Sequence, residues 1–180
     1  MNQVSSTSAS EQSVGSQDSP RKPRDDRASL YKVILVPIDF SECSNRTLEY
    51  AMHIAIRENA SIWLLHVFRI PDYAVTHYRW GEKDCRSAEV EARENLNAVE
   101  KEVLSRGINA KACFRVGHPF EEIVSVANEP EVDLLIIGSQ GCSSTKRLLL
   151  GSTAGRVVEH ARCTVVLVKE RGHRSDDQDG

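Results

Sequence analysis

A chain of 180 residues has room for one ordinary globular domain, and a net charge of −3 leaves no basic excess to suit nucleic acid or an anionic membrane surface. No apolar run approaches the roughly 20 residues that cross a bilayer, and the start, MNQVSSTSASEQSVGSQDS, has neither a basic nor an apolar leader region, so a cytoplasmic protein without membrane insertion is expected. Five cysteines (Cys43, Cys85, Cys113, Cys142, Cys163) stand far apart without C-x-x-C pairs, which disfavours a zinc site and a disulfide scaffold and fits a reducing compartment.

Residues 1–29 hold eight serines and almost no large apolar side chains, too little to offset the entropy of ordering, so they read as a disordered tail. The polar end RGHRSDDQDG (171–180) reads the same way, leaving residues 30–170 as the folded domain. That domain opens on KVILVPID, a continuously apolar, β-branched run of the kind found in strands covered on both faces. A helix follows behind candidate N-caps Ser41 and Ser44, with Leu48, Ala51, Met52, Ala55 and Ile56 as its inner stripe. SIWLLHVF is the second strand. After the aromatic segment Tyr73–Trp80 comes a charged helix with the stripe Ala92, Leu96, Val99 and Val103, stopped by Gly107.

AKACFRV is the third strand, and His118, Pro119 and Phe120 open a short helix whose inner face is Phe120, Ile123, Val124 and Ala127. VDLLIIG, STAGRVVEHA and TVVLVK complete the series as strand, helix and strand. Strands alternating with helices, the strands almost solidly apolar, predict an α/β fold: an open, doubly wound, five-stranded parallel sheet with helices on both faces.

Between the fourth strand and fourth helix lies GSQGCSSTKRLLLGST (138–153), long for a connection of this type, which commonly takes about 2 to 6 residues. Glycine lets backbone N–H groups turn toward a ligand, and Gly151, Ser152 and Thr153 open a helix whose unpaired N–H groups favour an anion. The stretch lacks the G-x-x-x-x-G-K-[ST] spacing of a P-loop, and a glycine stop followed by a serine N-cap, with no ligand, would produce a similar pattern. Leu148, Leu149 and Leu150 are expected to pin the loop to the core, and Lys146 and Arg147 would offer charge to a phosphate or to solvent. In open α/β sheets ligands sit past the carboxyl ends of the strands where the order reverses. Pro37, Ile38 and Asp39 would then face the loop across one crevice, with Asp39 either a polar anchor or an acid at the next helix start.

These residues resemble the universal stress protein family. VILVPIDFSECSNRTLEYA is similar to its opening strand and helix, LLHV to its second strand end, and VDLLIIGSQGCSSTKRLLLGSTAGRVVEHARCTVVLV to its closing half. The spacing Gly138-x2-Gly141-x9-Gly151-Ser152 matches the G-2x-G-9x-G-[ST] signature of the family's ATP-binding branch. The resemblance implies strand order 3-2-1-4-5, an adenine nucleotide, ATP with Mg2+, as ligand, and a homodimer joined through the last strand. It also implies Pro37, Asp39 and Val67 around the adenosine, Gly138 and Gly141 around the ribose and phosphates, and Gly151, Ser152 and Thr153 on the phosphates. TVVLVK, an apolar strand at a sheet edge, independently calls for covering or pairing.

No serine-histidine-acid set and no carboxylate cluster for metal-held water is visible, so a nucleotide-dependent stress or signalling module with slow or no hydrolysis is expected. Slow hydrolysis or autophosphorylation stays open, with Ser143, Ser144, Thr145, Ser152 and Thr153 as hydroxyls near the phosphates. The alternative is an adenylating or ATP-hydrolysing enzyme on a related fold, which would need a second substrate site. A phospho-receiver is disfavoured because the third strand ends Phe114, Arg115, Val116, Gly117, without the acids such modules carry; a flavin binder is the weakest option. His66 and His118 lie at the ligand edge without a metal-pairing partner at i+3 or i+4, and satisfied or exposed imidazoles are expected. Cys43 and Cys142 flank the same edge, each as an inert thiol or as a redox thiol shielded by nucleotide.

Overall fold

The computed structural model describes residues 29–69, 82–140 and 150–169. Five strands and four helices alternate: β1 (Val33–Pro37), α1 (Glu42–Glu58), β2 (Ser61–Phe68), α2 (Glu82–Ser105), β3 (Ala110–Val116), α3 (Pro119–Ala127), β4 (Leu134–Gly138), α4 (Ser152–His160) and β5 (Thr164–Val168). The strands form one parallel sheet, as the apolar pattern predicts, in the order β3-β2-β1-β4-β5 that the resemblance implies. Apart from Ser29, the terminal tails lie outside the described residues, as do the aromatics Tyr73–Trp80. No described helix is long and apolar enough to cross a membrane.

Two cores explain the near-solid apolar strands. Side chains alternate across the sheet with period two, so Ile34, Val36, Ile62, Leu64, Leu134 and Ile136 meet α1 and α2 on one face. Leu35, Leu65, Leu135 and Ile137 meet α3 and α4 on the other. Each fully buried Leu or Ile contributes about 1.5–3 kcal/mol relative to exposure, which is why the central strands are almost solidly apolar.

Ser41 caps α1, its Oγ accepting from the Ser44 amide. Leu48, Ala51, Met52 and Ala55 are buried as the stripe predicts, but Ile56 is 63% exposed. At about 100° per residue it lies roughly 80° around the helix from Leu48, beyond the width of the covered face. On α3 the expected inner face gains Val126, which is fully buried, while Val124 is only half-buried. Gly107, at φ +79°, supplies the left-handed turn that ends α2.

The ladder is uneven, and the unevenness makes the site. β1 runs beside β2 as far as Pro37↔Leu65, whereas its registered pairs with β4 stop at Leu35↔Leu135. Ile38 N–H donates to Leu65 O on β2, and alternate residues along a parallel strand address opposite neighbours, so Pro37 addresses β4. Proline has no N–H to give there. The sheet therefore parts between β1 and β4 at its carboxyl end, where the strand order reverses.

At the opposite end the same two strands are tied by Asp133, whose Oδ2 accepts from the amides of Lys32 (2.7 Å) and Val33 (3.0 Å), while its own N–H donates to Val33 O (3.1 Å). Replacing Asp133 with alanine leaves two amides without this acceptor at the start of β1. A loss of about 2 kcal/mol is expected, measured by urea unfolding, with Asp133→Asn recovering part of it.

Candidate functional site

The parting between β1 and β4 opens into a cleft of about 510 Å³. Its lining combines the buried apolar side chains of Leu65, Ile123, Ile137 and Ala154 with polar residues, among them Asp39, Ser44, Ser152 and Thr153. Pro37, Asp39, Val67, Gly138, Gly151, Ser152 and Thr153 all line this one space, although they come from four separate segments of the chain. Gly141, Cys142, Lys146, Arg147 and the hydroxyls at 143–145 lie outside the described residues.

On one wall, the chain leaving β1 makes a tight entry into α1. Asp39 Oδ1 accepts from Ser41 N–H (3.1 Å) and Ser41 Oγ–H (2.5 Å), and that same Oγ receives the Ser44 amide. Asp39 is thus neither the N-cap nor a first-turn acid of α1; Ser41 is the cap and Asp39 braces it. Between them Phe40 sits at φ +61°, in the left-handed region that a bulky aromatic adopts at a cost of about 1–3 kcal/mol. Its ring packs against His66, centroid to centroid 4.6 Å, and His66 in turn is bonded through Nδ1 to Ile38 O at 2.7 Å. His66 is a satisfied, buried histidine, and His118 is an exposed N-cap residue of α3 without a side-chain capping bond.

The opposite wall is the start of α4. Gly151 N–H donates to Ser139 O (2.8 Å), so the chain leaves β4 and returns to α4 at nearly one point. Gly151 is the N-cap residue, with no side-chain capping bond, and no acid stands in the first turn. Ser152, Thr153 and Ala154 line the cleft, so the start of α4, with its unpaired amides and the positive end of its dipole, borders it. Leu150 does not pin the loop as expected: it is 49% exposed and runs along Gly155, where a Cβ would touch its Cδ2 at 3.4 Å.

Gly138 has a reason of its own. A Cβ there would meet Cys43 Sγ at 2.8 Å and Thr47 Oγ1 at 3.1 Å, because the first turns of α1 cross directly over the end of β4. The cleft also includes Ser44, Phe68, Arg69, Pro119 and Gln140, none of them singled out from the sequence as binding residues. Ser44 and Pro119 were legible there only as helix starts, and those helices deliver them to the cleft. Among the described residues no group of three or more His, Cys, Asp or Glu is arranged to hold a metal. Cys43 is buried; burial pushes the thiols of Cys113 and Cys163 up, away from the thiolate form that reacts.

The fold has known counterparts. The sequence profile of the universal stress protein family matches residues 30–169. This chain belongs to the universal stress protein family. Among its relatives, universal stress protein MJ0531 of Methanocaldococcus jannaschii is 31% identical over 144 residues, covering 79% of this chain and 84% of that protein. The solved structure of MJ0577, from the same organism, superposes with a TM-score of 0.69 at 31% identity, covering 79% of this chain and 99% of that one. A crystal structure of a universal stress protein in complex with cAMP superposes with a TM-score of 0.57 at 25% identity, covering 78% of this chain and 98% of that one.

The close approach at Gly138 separates a packing role from a ligand role in this universal stress protein. Gly138→Ala is expected to destabilise by about 1–3 kcal/mol through overpacking. The double variant Gly138→Ala/Cys43→Ala should lose less than the sum of the two single losses in urea unfolding; additive losses would contradict the contact.

Proposed function

We propose that this universal stress protein binds an adenine nucleotide, ATP, in the cleft between β1 and β4, and acts as a nucleotide-dependent stress or signalling module. The observation that carries the reading is the N-terminus of α4: among the described residues it has no side-chain capping bond and no acid in its first turn, and it borders the cleft. An anion there would receive the first-turn amides and the hydroxyls of Ser152 and Thr153. Gly138 and Gly141 would border the ribose and phosphates; Pro37, Asp39 and Val67 would surround the adenosine. The family relative solved with cAMP supports the choice of an adenine nucleotide.

Mg2+ fits this cleft only as the nucleotide's companion. Asp39 is the sole carboxylate among the described lining residues, and its Oδ1 is engaged by Ser41. Magnesium usually takes one or two carboxylates together with substrate phosphates. The same commitments favour holding over turnover: Asp39 braces Ser41 and His66 is bonded to a backbone carbonyl. Slow or no hydrolysis follows from that reading.

A homodimer through β5 is part of the proposal. The strand lies at the sheet edge, and Val165, Val166, Leu167 and Val168 are only half-buried, a surface that pairing would cover. Cytoplasmic residence accords with Cys43, Cys85, Cys113 and Cys163 all being unpaired.

ATP should raise the melting temperature of the purified protein, and denaturation should release an adenine nucleotide identifiable by mass. The absence of both effects in the wild type would refute the reading. Thr153→Glu discriminates further: an acid in the first turn suits the helix dipole but opposes a phosphate, so ATP should bind about tenfold or more weakly while unliganded stability is unchanged or slightly higher. Light scattering across a concentration series should give twice the monomer mass.

A further inference from the structure

On the α1–α2 side of the sheet, the carboxyl end carries a short stack of rings that the proposed nucleotide contacts do not use. Phe40 packs on His66 at 4.6 Å, His66 on Phe114 at 5.6 Å, and Phe114 also stacks on Phe68 at 6.2 Å. The Arg93 guanidinium of α2 lies 3.8 Å over the Phe114 ring. His66 is the polar member of the stack, buried, and it borders the cleft.

Its one described polar contact is informative. A backbone carbonyl can only accept, so the 2.7 Å contact between His66 Nδ1 and Ile38 O requires Nδ1 to carry a proton and donate it. Ile38 is the residue at which β1 leaves the ladder: its N–H still donates to Leu65 O, and the next residue is Asp39. Ile38 is therefore held at both its backbone groups by β2, through one main-chain bond and one histidine. Immediately beyond it the chain must pass through Phe40 in a left-handed conformation before Ser41 caps α1. The His66 ring carries the Phe40 side chain as well, so one residue supports the turn by a hydrogen bond before the strained position and by ring packing at it.

We infer that His66 is a positioning residue of the cleft: its Nδ1–H fixes the Ile38 carbonyl and its ring seats Phe40, which together set where the Asp39 carboxylate stands. The inference rests on the nucleotide reading for its consequence, since it acts on affinity only through Asp39 and the α1 entry. It does not rest on that reading for its mechanics, which belong to the unliganded protein.

The test compares His66→Phe, which keeps a ring and loses the donor, with His66→Asn, whose side-chain amide nitrogen can occupy the place of Nδ1. Hydrogen exchange of the amides from Asp39 to Asn45 reads the turn directly, and calorimetric titration with ATP reads the site. His66→Phe should speed exchange in this segment about tenfold and weaken ATP by a similar factor, as expected for loss of a buried hydrogen bond, with His66→Asn recovering most of both. The wild-type ring should show an Nδ1-protonated nitrogen signature by NMR. Exchange in His66→Phe equal to wild type, or no recovery in His66→Asn, would overturn the inference. If His66→Phe fails to fold, His66→Gln, with its donor at the Nε2 end, takes its place and should show the same fast exchange; wild-type exchange in it overturns the inference. A wild type that binds no ATP removes the nucleotide reading, and the exchange comparison still decides whether His66 holds the turn.

Discussion

In a sheet covered on both faces, water cannot reach the central strands, so each backbone donor and acceptor there must find its partner in the ladder. Pro37 breaks that accounting at one place. It occupies the last position of β1 on the side that faces β4, and it brings no N–H. The β1–β4 ladder ends at Leu35↔Leu135, whereas β4 continues beside β5 to Gly138↔Val168. The strands diverge where one of them has nothing to donate, and the cleft occupies the divergence. Topology reinforces this, since the chain winds outward from β1 in one direction through β2 and β3 and resumes on its other side at β4.

What fills the sides of that opening follows from helix packing. α1 crosses the end of β4 so closely that only a residue without a Cβ fits at Gly138. To reach that position directly from β1 the chain must reverse within Asp39, Phe40 and Ser41, and it does so by accepting a left-handed Phe40 and bracing Ser41 with Asp39. The strain is local and is offset by contacts from β2, where His66 takes both the Ile38 carbonyl and the Phe40 ring. The cleft wall is thus a consequence of fitting α1 over β4, with its polar residues fixed by structural bonds before any ligand arrives.

The fold was legible because burial dominates it. SIWLLHVF and AKACFRV coincide with β2 and β3 from end to end, and both helix starts at Ser41 and Gly151 follow local capping and glycine chemistry. The strand order, Val67 and the role of each site residue toward a nucleotide came from the resemblance; periodicity alone carries none of them. Less legible were features decided by tertiary geometry. Ile56 has the right residue type and falls just outside the covered arc; Leu150 lies on α4 and leaves half its surface in solvent. The packing demand at Gly138 depends on Cys43 and Thr47, almost a hundred positions away, which no local pattern can announce. The support from His66 is similarly invisible, because its partner, Ile38 O, is a main-chain atom on another strand.

Gly138 also changes how the glycine signature should be weighed. A glycine in a phosphate-binding pattern is ordinarily taken to admit the ligand's close approach, yet at Gly138 the close approach is made by α1 from within the protein. The residue would be required even if nothing bound. Gly151 differs: its φ of −59° is open to any residue, and its N–H is bonded to Ser139 O. A side chain at this N-cap position, particularly Ser, Thr, Asp or Asn, would offer a cap to the first-turn amides. Glycine there supplies no such cap, and among the described residues no side-chain capping bond takes its place at this border of the cleft. Of the two, the glycine that the backbone does not demand is the stronger evidence for a ligand, because folding alone gives little reason to leave a helix start uncapped.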